Sequence, residues 1–201
     1  MKVTLAQLNF HTGYFNYNRD KILTAIEEAK AAGSDLVVLP ELAINGYPPR
    51  DFLEFRHFID SCEESMHTIA EACQGIAAIV GTPSLNPGEK GKPLYNAAYV
   101  MYDGRVQQQI YKTLLPTYDI FDEYRYFQPG NNQQIIALNG HRIALTICED
   151  LWNVGDHQLY TADPMSELAP YQPDLAINIA ASPFSQSHEE DRKEVLQTHA
   201  Q

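Results

Sequence analysis

The order of patterns within Lys2–Leu39 constrains this chain more than any other feature. Lys2–Asn9 reads as a strand. Asn18–Ala32 carries Ile22, Ile26 and Ala29 at i, i+4 and i+7, the spacing of one helix face, and Gly33 stands where a helix terminator belongs. Asp35–Leu39 is a short Leu/Val run consistent with a buried strand, and Pro40 stops it. Strand, helix and strand in that order favour a parallel pair joined by a right-handed crossover.

The rest of the chain adds a different kind of pairing. A second helix, Asp60–Gln74, places Ile59, Cys62, Met66, Ile69 and Cys73 on one stripe, and Ile76–Gly81 reads as a strand. Asp103-Gly104 separates Leu94–Tyr102 from Val106–Lys112, and Asn139-Gly140 separates Gln134–Leu138 from Arg142–Ile147. Both dipeptides are strong hairpin signals. A long polar and aromatic loop, Thr113–Asn132, lies between the hairpins. Asp174–Ala180 is a further strand, and Glu189–Gln201 begins a helix that is expected to be cut by the chain end. Crossovers and hairpins together indicate an α/β fold with mixed sheets. With 201 residues and no internal linker or repeat, one domain is expected.

A formal net charge of −12 repels phosphate backbones and anionic lipid, which argues against nucleic-acid or membrane partners. No apolar run approaches the roughly 20 residues of a membrane span. The N-terminal stretch lacks the continuous apolar region of a signal peptide, so a cytoplasmic protein is expected. Cys62 and Cys73 would share a helix face about 16 Å apart, too far for a disulfide, and read as buried structural thiols. No CxxC or HExxH motif supports a zinc site.

Three polar residues fall at the ends of predicted strands: Glu41, Lys112 and Cys148. Strand ends are where a rigid scaffold presents side chains to a cleft. Taken one at a time, each has an ordinary explanation as a cap, a surface charge or a core thiol. Taken together they form a chemical set. A free thiol has a pKa of about 8.5 and is mostly protonated at neutral pH. A carboxylate within reach can accept its proton and return it to a leaving amine. A lysine beside both favours the thiolate and stabilises an oxyanion. No histidine stands near these motifs, which makes a Cys–His pair less economical.

The words around these residues carry a family resemblance. Leu39-Pro-Glu-Leu-Ala-Ile-Asn-Gly-Tyr-Pro48, Tyr111-Lys-Thr-Leu-Leu-Pro116 and Ile147-Cys-Glu-Asp150 resemble, in the same order, the three motifs of the nitrilase (carbon–nitrogen hydrolase) superfamily. The resemblance implies Glu41 as general base, Lys112 as oxyanion stabiliser and Cys148 as nucleophile. It also implies a four-layer α-β-β-α sandwich. Gly46–Leu53, Leu115–Phe127 and Cys148–Trp152 are similar to the glutaminase domains of glutamine-dependent NAD synthetases. Stand-alone amidases of the superfamily more often carry an aromatic residue after the cysteine and an Arg-Phe-Pro-Glu run downstream. Neither is present here.

That narrower resemblance implies further roles. Tyr118 and Glu149 contact glutamine, Glu149 also helps to position Lys112, Trp152 forms a pocket wall, and the Glu149 backbone N–H donates to the oxyanion. Ser182 matches a position that holds the α-amino acid end of the substrate. A basic residue for the glutamine carboxylate is expected a few residues later, where this chain has His188, with Arg192 one helical turn on. The acidic residues Asp119, Asp122 and Glu123 read as a solvated or subunit-facing loop rather than a metal site. The half-reaction requires no metal or organic cofactor. ATP and magnesium belong to an expected synthetase domain downstream, outside these residues, and the nitrilase-like domain itself is expected to be cut short at its C-terminal end. A homo-oligomer is also implied. The rival readings are a stand-alone amidase for a small aliphatic amide and a non-catalytic nitrilase-like interaction module. A phosphate-binding Ser-Gly-Gly motif downstream would separate the first from a synthetase, and thiol labelling would separate the second.

Overall fold

The computed structural model describes residues 1–155, 159–183 and 188–200, without the side chain of His188. The elements run β1 (Val3–Leu5), α1 (Phe15–Ala31), β2 (Leu36–Val38), α2 (Arg56–Ala72), β3 (Ala77–Leu85), β4 (Leu94–Tyr102), β5 (Arg105–Tyr111), β6 (Ile135–Leu138), β7 (His141–Ile147), α3 (Pro164–Leu168), β8 (Leu175–Ile179) and α4 (His188–His199). They form two mixed sheets. One has the order β1-β2-β3-β4-β5 and the other β6-β7-β8.

The opening strand–helix–strand becomes a parallel β1–β2 pair, with Val3 opposite Leu36. The β1 ladder is shorter than the pattern Lys2–Asn9, although the Ala6 N–H still donates to Val38 O at 2.9 Å. Both hairpin dipeptides adopt the left-handed backbone that a two-residue turn requires: φ is 52° and 73° at Asp103 and Gly104, and 49° and 78° at Asn139 and Gly140. Their strands pair antiparallel. Between β4 and β5 the register shifts, so that Gln108 faces Val100 but Val106 faces Met101. The bulge reverses the parity of β5 and lets Val106 pack with Met101 on the helix side.

Alternation along the strands builds the layers. Val37, Ala78, Val80, Ala97, Tyr99 and Met101 face α1 and α2 in one core. Leu36, Val38, Ala77, Ile79, Ala98, Val100 and Ile110 point the other way, against Ile143, Leu145, Ile147, Ile177 and Ile179 of the second sheet. Beyond that sheet, α3 buries Leu168 and α4 buries Val195, while the His199 ring nitrogen Nε2 meets Leu151 O at 2.8 Å. The sequence of layers is α-β-β-α. Cys62 and Cys73 are buried free thiols on α2 and at its end, and burial pushes each up to about 12. Among the described residues no helix is long and apolar enough to cross a membrane.

Candidate active site

Three chain segments leave the two sheets at one end and converge there. The turn after β2 supplies Glu41, the residue after β5 is Lys112, and β7 runs directly into a 3-10 turn that starts at Cys148. Each exit is set by local backbone. Gly81 on β3 lies so close to the first segment that a Cβ there would stand 2.4 Å from Leu42 N, 2.6 Å from Pro40 O and 2.7 Å from Glu41 Cα. Glycine at 81 is therefore what lets the Glu41 turn, with Leu42 at φ 50°, lie flat against the sheet. Lys112 extends the ladder: its N–H donates to Asn96 O at 2.8 Å, and its carbonyl accepts from the Gly130 N–H at 2.8 Å. Cys148 itself is left-handed, at φ 46°, a conformation unusual for a residue with a Cβ.

A direct consequence can be measured. Gly81→Ala should displace backbone, not a flexible side chain, and should cost about 1–3 kcal/mol of stability. Because the displaced residue is Glu41, hydrolytic turnover should fall by at least about tenfold in protein that remains folded. Melting curves and turnover together check this, and an active, unshifted variant would contradict the close approach.

The side chains meet in a closed polar cluster. Lys112, with no exposed surface, donates to Glu41 Oε1 at 2.8 Å and to both oxygens of Glu123 at 2.9 Å. The Asn96 amide donates to Glu41 Oε1 at 2.8 Å and reaches Glu123 Oε2 at 3.4 Å. The other oxygen of Glu41 accepts the Ala181 N–H at 3.0 Å, and the next residue, Ser182, places its Oγ 3.7 Å from Cys148 Sγ. Consecutive residues thus bracket the carboxylate and the thiol.

Glu123 is the largest departure from expectation. It belongs to the acidic loop set read as solvated, yet it is buried, while Asp119 and Asp122 are exposed. The physical reason is Lys112: an ammonium removed from water needs more negative charge than Glu41 alone supplies. Burial works against the Lys112 ammonium, but Glu41 and then Glu123 outweigh it and hold its pKa well above the ordinary value. For Glu123, burial raises the carboxyl pKa against the pull of Lys112. Tyr47 donates to Glu123 Oε1 at 3.3 Å from the other side.

Cys148 is buried, and its thiol is pushed upward, by burial first and Glu41 second, with Lys112 opposing. The direction of the shift favours a thiol over a preformed thiolate. Lys112 pulls toward the thiolate as expected, but burial and Glu41 outweigh it. Glu149 follows a different course. Its carboxylate accepts from Tyr118 at 2.9 Å and from Tyr160 at 3.0 Å, and the hydrogen bonds of Lys112 go to Glu41 and Glu123 instead. The expectation that Glu149 positions Lys112 is corrected accordingly. No motif or periodicity in the sequence marks Tyr160. It is pinned by Asn153, whose amide donates to Tyr160 O at 2.9 Å and accepts the Tyr160 N–H at 3.1 Å.

The remaining predicted residues are distributed as follows. Trp152 is half-buried at the end of the Cys148 turn, where its N–H donates to Glu149 O at 2.8 Å. Arg192 is exposed on α4, not enclosed with the cluster, and the side chain of His188 lies outside the described residues. Asp150 is buried, and burial raises its carboxyl pKa to about 7 against the opposing backbone N–H bonds and Lys112. Among the described residues no group of three or more His, Cys, Asp or Glu side chains is arranged to hold a metal ion.

The family model for carbon-nitrogen hydrolase matches residues 2–163. The chain belongs to the carbon–nitrogen hydrolase family. Its relatives include a glutamine-dependent NAD(+) synthetase of Synechocystis sp., 40% identical over 190 residues, which are 91% of this chain and 34% of that protein. The solved glutamine-dependent NAD+ synthetase of Acinetobacter baumannii superposes with a TM-score of 0.88 at 31% identity, over 99% of this chain and 36% of that one. An amidase from Nesterenkonia sp. shares the fold at a TM-score of 0.79 and 20% identity, over 100% of this chain and 71% of that one. The chain spans about a third of the length of the curated relatives it matches.

Proposed function

We propose that this carbon–nitrogen hydrolase domain hydrolyses the carboxamide of glutamine through Cys148, and that the ammonia serves an ATP-dependent synthetase domain of the same polypeptide, which amidates nicotinate adenine dinucleotide to NAD. The reading rests on one observation above others: Glu41, Lys112 and Cys148, from three separate strand ends, share one buried cluster. The similarity to NAD synthetases over nearly the whole chain supports the choice of substrate.

The geometry distributes the work. Cys148 Sγ attacks the carboxamide carbon as Glu41 accepts the thiol proton, a step the raised thiol pKa makes necessary. Lys112 and the backbone N–H of Glu149 stabilise the oxyanion of the tetrahedral species. Glu41 returns the proton to the nitrogen, the C–N bond breaks, and ammonia leaves a thioester on Cys148. Water activated by Glu41 then adds to the thioester and releases glutamate and the thiol. Every acid, base and nucleophile in this sequence is a side chain of the chain. ATP and magnesium enter only with the synthetase domain, and assembly into a homo-oligomer is part of the same reading.

Glu149 favours an amino acid over an aliphatic amide. A carboxylate oriented by two phenols beside the nucleophile is a natural acceptor for an α-ammonium group, and an aliphatic amide offers it nothing. Tyr118, Trp152 and Ser182 complete that end of the pocket. The test compares ammonia release from L-glutamine and propionamide. Faster turnover of L-glutamine, with glutamate formed in equal amount, is expected. Preference for propionamide would make this a stand-alone amidase, and no turnover of either with an unreactive Cys148 would leave an interaction module.

A further inference from the structure

The carboxyl group of Asp150 stands between the two loops that carry Lys112 and Cys148. Its Oδ1 accepts the N–H groups of Thr113 at 3.0 Å and Leu114 at 2.9 Å, the two residues that follow Lys112. Its Oδ2 accepts the N–H of Ile147 at 3.1 Å, the residue that precedes Cys148. Asp150 is only 1% exposed. No side-chain ligand of the reaction is involved in these bonds; all three donors are backbone.

We infer that Asp150 is a positioning residue that fixes the Lys112 loop and the Cys148 turn relative to each other. The inference rests on the catalytic reading of Cys148 given above. A carboxyl group suits this task because both oxygens accept. An amide presents one acceptor oxygen and one NH2. Whichever way it is turned, an N–H donor meets another donor, at Ile147 or at Thr113 and Leu114. Burying a carboxyl group costs free energy unless its oxygens are paired, and a residue with a purely space-filling role has no need of one. What compensates first is the set of backbone N–H donors, Leu114 and Ile147 ahead of the charge of Lys112, so the clasp is held by the two loops it joins. The clasp also acts on the strained position: the Ile147 N–H lies directly before Cys148 at φ 46°, where a change in the turn swings the thiol.

Asp150→Asn in the full-length protein tests this. Glutamine turnover should fall about 30-fold or more with KM within about threefold, since a small misplacement of reacting groups lowers kcat without removing substrate contacts. Alkylation of Cys148 by iodoacetamide, mapped by mass, should slow about tenfold, because Glu41 no longer meets the thiol proton. Alkylation needs no glutamine, so it reads the positioning role even if wild-type protein proves inactive on glutamine, a result that would count against the function alone. Unchanged alkylation, or a kcat within about threefold of wild type, overturns the inference. If the Asn variant does not fold, Asp150→Ser, which keeps one acceptor in a smaller side chain, carries the same measurements. Loss of fold in both variants would show a structural role and overturn the positioning one.

Discussion

Cys148→Ala is expected to abolish ammonia release from glutamine while leaving the fold in place. Removal of a nucleophile that forms a covalent intermediate lowers turnover by factors on the order of 10³ or more. Ser182 Oγ, 3.7 Å from the sulfur, is a hydroxyl close enough to be considered as a replacement. It comes from the segment after β8, however, and an unactivated hydroxyl is a far weaker nucleophile than a thiol. Stability should change little. Alanine fits where cysteine fits, the left-handed φ of 46° costs both residues a similar amount, and the thiol's burial next to Glu41 brings no ion pair to lose. The measurement is paired: ammonia release and melting temperature of the same preparation. Unchanged release would remove Cys148 from the mechanism, and unfolding would show that the thiol packs more than it reacts.

The parts of the fold legible in the sequence are those governed by local chemistry. Asp103-Gly104 and Asn139-Gly140 specify their turns because two successive left-handed residues are demanded and few dipeptides supply them. The stripe Ile59, Cys62, Met66, Ile69 and Cys73 lies buried on and just beyond α2, although that helix starts at Arg56 rather than Asp60. Boundaries shift because exposed residues such as Arg56, paired with Asp60 at 2.7 Å, join a helix once its apolar face is packed. The bulge in β5 was not legible at all. Its signature is a single extra glutamine in a run of three, and only the packing of Val106 against the helices reveals which one is extra.

The site divides in the same way. Glu41, Lys112 and Cys148 could be picked out because each ends a strand, so a position along the chain implied a position in space. Glu123 could not, because it sits in the aperiodic stretch between β5 and β6, where an acid is ordinarily solvated. What marks it is the need of a buried ammonium for a second carboxylate, and that need appears only when Lys112 is known to be buried. Asn96 escaped notice as a polar residue inside a β4 that otherwise reads as core, and Tyr160 because its link to Glu149 depends on the Asn153 bonds. A sequence signal did exist for Asn96: an asparagine inside a buried strand calls for polar partners, and its NH2 finds them in Glu41 and Glu123.

The largest stability effect belongs to Lys112→Met. Methionine replaces the length of the side chain but leaves Glu41 and Glu123 facing one another without the ammonium between them. Breaking a buried pair in this way costs about 3–5 kcal/mol, which for a domain of this size lowers the melting temperature on the order of 10 °C. The sign of its pH dependence is fixed by Glu123. Burial already raises that carboxyl, and Lys112 is the strongest influence lowering it, so removing the lysine lifts it further. A carboxyl with a raised folded-state pKa binds its proton more tightly folded than unfolded. The variant's deficit is therefore smallest at low pH, where both states are protonated, and grows as pH rises through the folded value. Activity should fall with it by about 10²- to 10³-fold, because the oxyanion loses its cation. Adding Glu123→Gln separates the two effects. The double variant removes one of the facing charges and should recover most of the lost stability, but not the activity, since the oxyanion still lacks its cation. Recovery of both would place Lys112 in the scaffold rather than in the chemistry.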